Sequence, residues 1–156
     1  MRALLQRVSR AEVRVDGQVL GAIDRGLLIL LGVAPGDDEF VAGGLAAKVA
    51  GLRIFSDADG LTNLSIGDVG GSALVVSQFT LYADTRKGRR PSFLAAAGPI
   101  VGERLYEVFC EMLASTGLPV QQGRFGADMD VELINEGPFT IWLDSDELSI
   151  EPRPTS

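Results

Sequence analysis

Residues 130–143 read DVELINEGPFTIWL. Two strand-like runs, Asp130-Val131-Glu132-Leu133-Ile134 and Phe139-Thr140-Ile141-Trp142-Leu143, flank the tetrad Asn135-Glu136-Gly137-Pro138. The runs are rich in β-branched and aromatic residues, which suit a pleated, half-buried surface. The tetrad between them has two readings. Proline has no N–H to give to a strand ladder and glycine has no side chain, so the pair reads as a hairpin turn. The same two residues also leave the carbonyls accessible, as backbone kept bare for something to approach. Local pattern alone makes no case for a cis bond at Pro138.

Working back from this stretch, the rest of the chain supplies more strands than helices. Residues 2–15 alternate as a strand, with Leu5, Val8, Val13 and Val15 as inward candidates. Asp16-Gly17 is a hairpin signal leading to a short strand, Gln18 to Ile23. Asp24-Arg25-Gly26 turns the chain again, and Leu27 to Val33 is apolar on both faces, as a central strand would be. After Pro35-Gly36, Asp37 or Asp38 caps a helix marked by Val41, Leu45, Val49 and Leu52, with Gly43-Gly44 working against it. Leu52 to Phe55 reads as a short strand, and Ser56 to Gly60 (SDADG) as a polar turn without the glutamate spacing of a calcium loop. Ser72 to Ala83 (SALVVSQFTLYA) is the most strand-like segment. A second long helix is expected from about Pro99 to Thr116, with an apolar stripe of Ile100, Val101, Leu105, Val108, Phe109, Met112 and Leu113. Cys110 adjoins that stripe as a small core residue. The pattern is α+β, mostly antiparallel sheet with two main helices in a single domain. Residues 1–146 form that domain, and 147–156, ending in EPRPTS, a loose tail.

Composition narrows the chemistry. The chain has 156 residues, 46% of them hydrophobic, and one domain of this size buries about 68–70% of its unfolded surface. The longest apolar run, Gly26 to Ala34, is far short of the ~20 residues a membrane span needs. The opening MRALLQRVSRAEVRV has charges too closely spaced for a signal peptide, so the expected location is the cytoplasm. There is one cysteine and no histidine, which excludes a Ser-His-Asp triad, a Cys-His pair, imidazole metal ligands and an intrachain disulfide. No metal and no cofactor are expected. The net charge of −7 argues against nonspecific nucleic-acid binding. Yet Arg86, Lys87, Arg89 and Arg90 sit within five residues. They form either a solvated loop or a local patch for one specific polyanion.

Polar residues also interrupt the apolar run at Ser77-Gln78-Phe79-Thr80. In a strand, Ser77 and Phe79 would share one face and Gln78 and Thr80 the other. The segment is either a strand emerging into solvent or a strand-end site where a hydroxyl or N–H meets a substrate oxygen. A nucleophilic hydroxyl needs a base, and none is evident nearby.

SQFTL (Ser77 to Leu81) and NEGPFT (Asn135 to Thr140) resemble the two signature motifs of the D-aminoacyl-tRNA deacylases. The resemblance runs through LLQRVSRAEVRVDG (4–17), GLLILLGV (26–33), RIFSD (53–57), GGSALVVSQFTLYADTRKGRRPSF (70–93) and GRFGADMDVELINEGPFTIWL (123–143). Only the tail after about Leu143 lies outside it. It implies a layered β/β/α fold and a homodimer with each active site at the subunit interface. It also implies hydrolysis of the ester joining a D-amino acid to the terminal adenosine of tRNA, as chiral quality control in translation. By the same resemblance, a cis Gly137-Pro138 enters the partner's site, where its carbonyls hold the α-ammonium and exclude an L side chain, with glycine passing the filter. Arg7 orients that motif, and Asn135 and Arg7 count with Gly137 and Pro138 among the substrate-binding residues. Ser77 and Gln78, with the N–H of Phe79, position the ester and its oxyanion. Thr80 is a candidate nucleophile without an activator, so assistance by the ribose 2′-hydroxyl suits a histidine-free chain better. Phe125 and Met129 line the adenosine pocket or, alternatively, pack in the core. Arg86, Lys87, Arg89 and Arg90 become phosphate contacts for the acceptor stem. Competing readings are an inert module that grips the tRNA end, a small-molecule hydrolase or lyase without RNA, and a purely structural dimer.

Overall fold

The computed structural model of the chain describes residues 1–150. Its organising element is β1 (Arg2–Val15), which uses both edges. Along one edge it pairs antiparallel with β8 (Asp130–Asp144) from end to end. Along the other, residues 2–8 pair with β3 (Gly26–Gly32) and residues 11–15 with β2 (Gln18–Ile23), both antiparallel. β3 continues to β6 (Ser72–Ser77), and β6 to β7 (Val120–Gln122), both parallel. These parallel pairs arise because α1 (Glu39–Gly51) and α2 (Pro99–Ala114) carry the chain back between them. A separate hairpin joins β4 (Phe55–Ser56) to β5 (Thr62–Leu64). The short strand expected at Leu52 to Phe55 is thus displaced to Phe55–Ser56. The Asp57 carboxylate shapes the turn after it, accepting from the N–H groups of Asp59 (2.9 Å) and Leu61 (3.0 Å).

Burial on both faces of the central strands produces three layers. Leu27, Ile29 and Leu31 of β3, with Ala3 and Leu5 of β1 and Ala73 and Val75 of β6, face Ala42, Leu45, Val49, Leu105, Phe109 and Leu113 of the helices. The other face holds Leu28, Leu74 and Val76 against Val8, Ala11, Val13 and Ile23. Leu5 and Val8 therefore belong to opposite faces. Beyond Val8 an extra residue, Ser9, bulges from β1, since Val8 pairs Asn135 while Arg10 pairs Ile134. That keeps Val8, Ala11 and Val13 on one side. The far half of β1, with β2 and the first half of β8, lies over the sheet as a second β layer. The approach is close: a Cβ on Gly21 of β2 would stand 2.9 Å from the Gln122 carbonyl. The result is the β/β/α sandwich the sequence resemblance implies.

The helices are set by local signals. Asp38 caps α1, accepting from the N–H of Val41 (2.9 Å), with Glu39 and Lys48 placed to suit the helix dipole. Gly43-Gly44 does not break the helix. A Cβ at Gly44 would run into the Ile150 side chain, so the bare position admits the segment after β8. Leu148 also packs on the helical core. Of the loose tail expected at 147–156, residues 151–156 lie outside the described residues. Pro99 opens α2, and the buried Tyr106 hydroxyl donates to the Val75 carbonyl (2.7 Å), tying the helix to β6. Burial pushes the Cys110 thiol up to about 12, so it stays protonated and inert.

The hairpin reading of residues 135–138 is overturned. The two runs do not pair with each other; they are two stretches of one strand on a common partner. Gln6 pairs Thr140 and Val8 pairs Asn135, so Glu136, Gly137, Pro138 and Phe139 stand opposite Arg7 alone. The Gly-Pro pair is the crest of a bulge.

Candidate active site

β6 ends at Ser77, and its continuation as a strand through Thr80 is overturned. Phe79–Tyr82 form a turn of 3-10 helix. Gln78 still gives its N–H to the Leu31 carbonyl (2.7 Å) as the last rung of the parallel ladder, and the next two turns close on Gln78 and Thr80 (3.2 and 3.0 Å). Gly32 permits this. A Cβ there would meet the Gln78 carbonyl at 3.1 Å and Leu81 and Tyr82 at 3.2 Å. The N–H groups of Phe79 and Thr80 open the turn, where a helix has no internal acceptor for them. The Gln78 amide donates to the Thr80 hydroxyl. Among the described residues, no carboxylate or amine bonds that hydroxyl.

Val76, Ser77, Gln78 and Phe79 form one wall of a cavity of about 240 Å³, and Gly126, Ala127, Asp128, Met129 and Val131 form the other. Of the two residues expected to line an adenosine pocket, Met129 is in this wall. Phe125 is turned the other way, with its ring 6.1 Å from that of Tyr106 and packed over Gly102. It joins the helical core. A larger groove of about 610 Å³ lies between α1 and residues 147–150, and none of the motif residues borders it.

Sequence reasoning missed Arg2, which fastens the 3-10 turn to the end of β8. Its Nε donates to Asp144 (2.9 Å) and its Nη1 to the Leu81 carbonyl (2.9 Å). The guanidinium lies 4.4 Å from the centre of the Tyr82 ring and 5.5 Å from that of Trp142. Burial alone would raise the Asp144 carboxyl, but the Asp146 N–H and Arg2 outweigh it and hold the group below the usual range. No local pattern announces this clamp, because its partners are 79 and 142 residues away.

The second motif is built mostly of main chain. The Gly137-Pro138 peptide is cis, and Gly137 has φ +123°. Both residues are exposed and neither pairs with β1. Arg7 holds the bulge from beneath: its Nη1 donates to the Ile54 carbonyl (2.8 Å), its Nε to that of Glu136 (3.3 Å), and its guanidinium sits 4.6 Å from the centre of the Phe139 ring. Asn135 spans the base, donating to the Thr140 hydroxyl (3.0 Å) and accepting from the Phe139 N–H (3.2 Å). Both ends of its amide are thereby engaged inside the motif.

The two motifs do not meet within one chain. Ser77 is in register with Leu31 and so with Ala3, whereas the bulge faces Arg7, in register with Leu27. Four strand residues and three interstrand steps separate them, roughly 13 Å along the strands and roughly 14 Å across.

The basic loop hangs directly from the 3-10 turn. Asp84 and Ser92 close it by exchanging main-chain bonds of 2.7 and 2.9 Å. Arg86 is spent on that closure, gripping Asp84 through Nε (2.8 Å) and Nη2 (2.7 Å). It holds the Asp84 carboxyl down at about 2. Lys87, Arg89 and Arg90 are exposed and make no ion pair among the described residues.

Comparison with known proteins agrees with this architecture. "D-aminoacyl-tRNA deacylase" of Ruegeria pomeroyi is 60% identical over 144 residues, covering 92% of this chain and 99% of its own length. The protein of the same name from Thermomicrobium roseum is 61% identical over 148 residues, covering 95% and 96%. A solved structure described as "c-Myc DNA Unwinding Element Binding Protein" superposes with a TM-score of 0.86 at 38% identity, covering 92% and 98%. One described as a probable eukaryotic D-amino acid tRNA deacylase shares the fold, with a TM-score of 0.79 at 19% identity over 91% and 97%. The family model described as D-Tyr-tRNA(Tyr) deacylase matches residues 4–144, and the chain belongs to that family.

Proposed function

We propose that this hydrolase cleaves the ester between a D-amino acid, or glycine, and the terminal adenosine of tRNA, rejecting L esters by main chain alone. The observation that carries the proposal is the separation of the two motifs. A cavity with hydroxyl, amide and N–H groups lacks anything that reads handedness, while an exposed main-chain crest stands too far away to serve it. Each supplies what the other lacks if two copies associate and the crest of one enters the cavity of its partner. The active site then lies at the interface of a homodimer.

In that arrangement the ester carbonyl sits at the start of the 3-10 turn, with the Phe79 N–H and the Gln78 side chain facing the oxygen. Water adds to the carbonyl carbon, and the oxyanion forms against those donors. The carbon–oxygen bond to the ribose then breaks, and the leaving 3′-oxygen takes up a proton. The neighbouring 2′-hydroxyl assists, which suits a chain with no histidine and a Thr80 hydroxyl bonded to Gln78 rather than to a base. Ser77 positions the ester and Met129 lies beside the adenosine. Phe125 supports that wall from the core side. The carbonyls of Gly137 and Pro138 hold the α-ammonium and fill the volume an L side chain needs, so a wrong-handed ester is excluded rather than held less tightly. Arg7 and Asn135 act on the substrate only through the bulge they shape. Lys87, Arg89 and Arg90 meet acceptor-stem phosphates, with Arg86 holding their loop. The substrate places the reaction in the cytoplasm.

The test is hydrolysis of matched D- and L-tyrosyl-tRNA by the purified protein, with and without a chelator. Rapid loss of the D ester alone, indifferent to the chelator, is expected. Survival of both esters with tRNA still bound would reduce the protein to a module that grips the tRNA end.

A further inference from the structure

Beside the cavity two aromatic rings stand in solvent. Phe79, 57% exposed, and Phe93, 38% exposed, meet edge to face with centroids 5.1 Å apart. Phe79 belongs to the cavity wall. Phe93 directly follows Ser92, the residue that closes the basic loop. Residues 76–93 thus run from the cavity wall through the exposed loop of Lys87, Arg89 and Arg90 to Phe93. Neither core cluster includes either ring. An edge-to-face pair leaves a ring face open. Aromatic faces beside cations, on a chain of net charge −7, suit a ligand that is flat, apolar in its faces and negatively charged along its edge. Unpaired nucleotides have that chemistry: bases stack on aromatic side chains while the backbone tracks the positive groove.

We propose that the Phe79–Phe93 pair, beside the loop that carries Lys87, Arg89 and Arg90, is a stacking subsite for the unpaired nucleotide next to the terminal adenosine. The inference rests on the cavity holding that adenosine, as proposed above. It adds a contact that grips the RNA rather than the amino acid. Stacking accepts any base, so the subsite recognises an unpaired end without reading its sequence. Arg86 stands apart from the flanking cations because Asp84 already neutralises it.

The test compares Phe93→Leu, which keeps apolar bulk and removes the π face, with Phe93→Tyr, which keeps the face. Two substrates are used, D-tyrosyl-tRNA and D-tyrosyl-adenosine, whose ester sits on a lone nucleoside. The ratio of kcat/KM for tRNA to that for the nucleoside should fall roughly tenfold in Phe93→Leu, mostly through KM. Phe93→Tyr should restore it. An unchanged ratio overturns the subsite, as does a wild-type ratio near unity. Equal loss on both substrates assigns Phe93 to bracing the turn, and weakened self-association in sedimentation assigns the rings to a protomer interface. Either result also overturns the proposal. A second readout does not depend on catalysis: a single-stranded RNA trinucleotide ending in adenosine, with 2-aminopurine next to last. Wild-type protein should quench its fluorescence and Phe93→Leu should not. Quenching without hydrolysis separates failure of the deacylase mechanism from failure of the subsite, and absence of Phe93-dependent quenching sinks the subsite alone.

Discussion

The turn at Phe79–Tyr82 and the bulge at Glu136–Phe139 solve opposite problems with opposite materials. The turn gathers side chains and N–H groups at the end of a buried parallel strand, where the chain bends over Gly32. The bulge sits in mid-strand, flanked by good pairing on both sides, and presents a glycine and a proline to solvent. Each is fixed by an arginine from β1 that reaches a main-chain carbonyl: Arg2 takes Leu81 and Arg7 takes Glu136. One strand therefore aims both motifs. The difference teaches what each site can discriminate. Donors held in place at the start of the turn suit a developing charge, whereas main chain locked between paired stretches suits a fixed shape.

The largest effect is expected where the locked region has no slack. A Cβ at Gly137 would stand 2.9 Å from Arg7 Nη2, on a backbone with φ +123° that L side chains rarely adopt. Gly137→Ala should lower kcat/KM for D-tyrosyl-tRNA by roughly a hundredfold, since a displacement of about 1 Å costs that much in a positioned site. Thermal stability should fall as well, because an L residue at this positive φ is strained. Full activity with an unchanged D-over-L ratio would remove the crest from the site.

The turn should respond more gently, with a stability component of its own. Arg2→Gln breaks the bonds to Asp144 and Leu81. The deacylation rate should drop roughly tenfold, mainly in kcat, as the 3-10 turn loosens, and charged hydrogen bonds of this kind are worth about 2 kcal/mol of folding stability. The sign of the pH dependence follows from Asp144, whose carboxyl is held below its usual range. Its contribution is complete above the unfolded carboxyl's range and lost as pH falls through the folded value. The stability deficit of Arg2→Gln should therefore be largest near neutral pH and shrink below about pH 4. Denaturant titrations at pH 7 and pH 3 check this. A deficit that grows in acid would contradict the clamp.

The same contrast explains what could be read from the sequence. The strand runs on either side of the tetrad 135–138 are visible in their β-branched and aromatic residues. The bulge is not, because its register is set by β1, a partner more than a hundred residues earlier. A Gly-Pro pair looks alike in a turn and a bulge when only its neighbours are known. Ser72 to Ala83 has strand composition throughout, yet it bends after Ser77 because Gly32, on another strand, leaves room for it to bend. β7 is only Val120-Gln121-Gln122, too short to carry a period, and exists because β6 offers an edge. Helix starts were legible because Asp38 and Pro99 act within their own turn. The signature motifs are legible as ordered strings; their separation within one chain emerges only from the pairing.

Between the loop cations the comparison sharpens to single charges. Arg89→Gln should reduce the salt dependence of tRNA binding by about one unit of slope, as expected when one phosphate contact is lost. Arg86→Gln should leave the slope closer to wild type, since Asp84 already neutralises that guanidinium. Binding titrations across salt concentrations separate the two. Equal reductions would mean that Asp84 releases Arg86 to the RNA.

The smallest effect is expected at Thr80, and it decides which kind of chemistry the turn performs. Its hydroxyl accepts from Gln78 and, among the described residues, bonds no base. A nucleophile would need its proton drawn away, and a histidine-free chain has no imidazole to do so. Thr80→Ala removes the hydroxyl while keeping the main-chain N–H groups that open the turn. If the substrate's own 2′-hydroxyl assists water, the variant should retain activity within roughly threefold, the residue of one neutral hydrogen bond. Replacing the terminal ribose by 2′-deoxyribose should then cost far more than losing Thr80. The reverse order, with Thr80→Ala inactive but still binding and the deoxy substrate cleaved normally, would make the threonine the attacking group and leave its activation to residues of the partner chain.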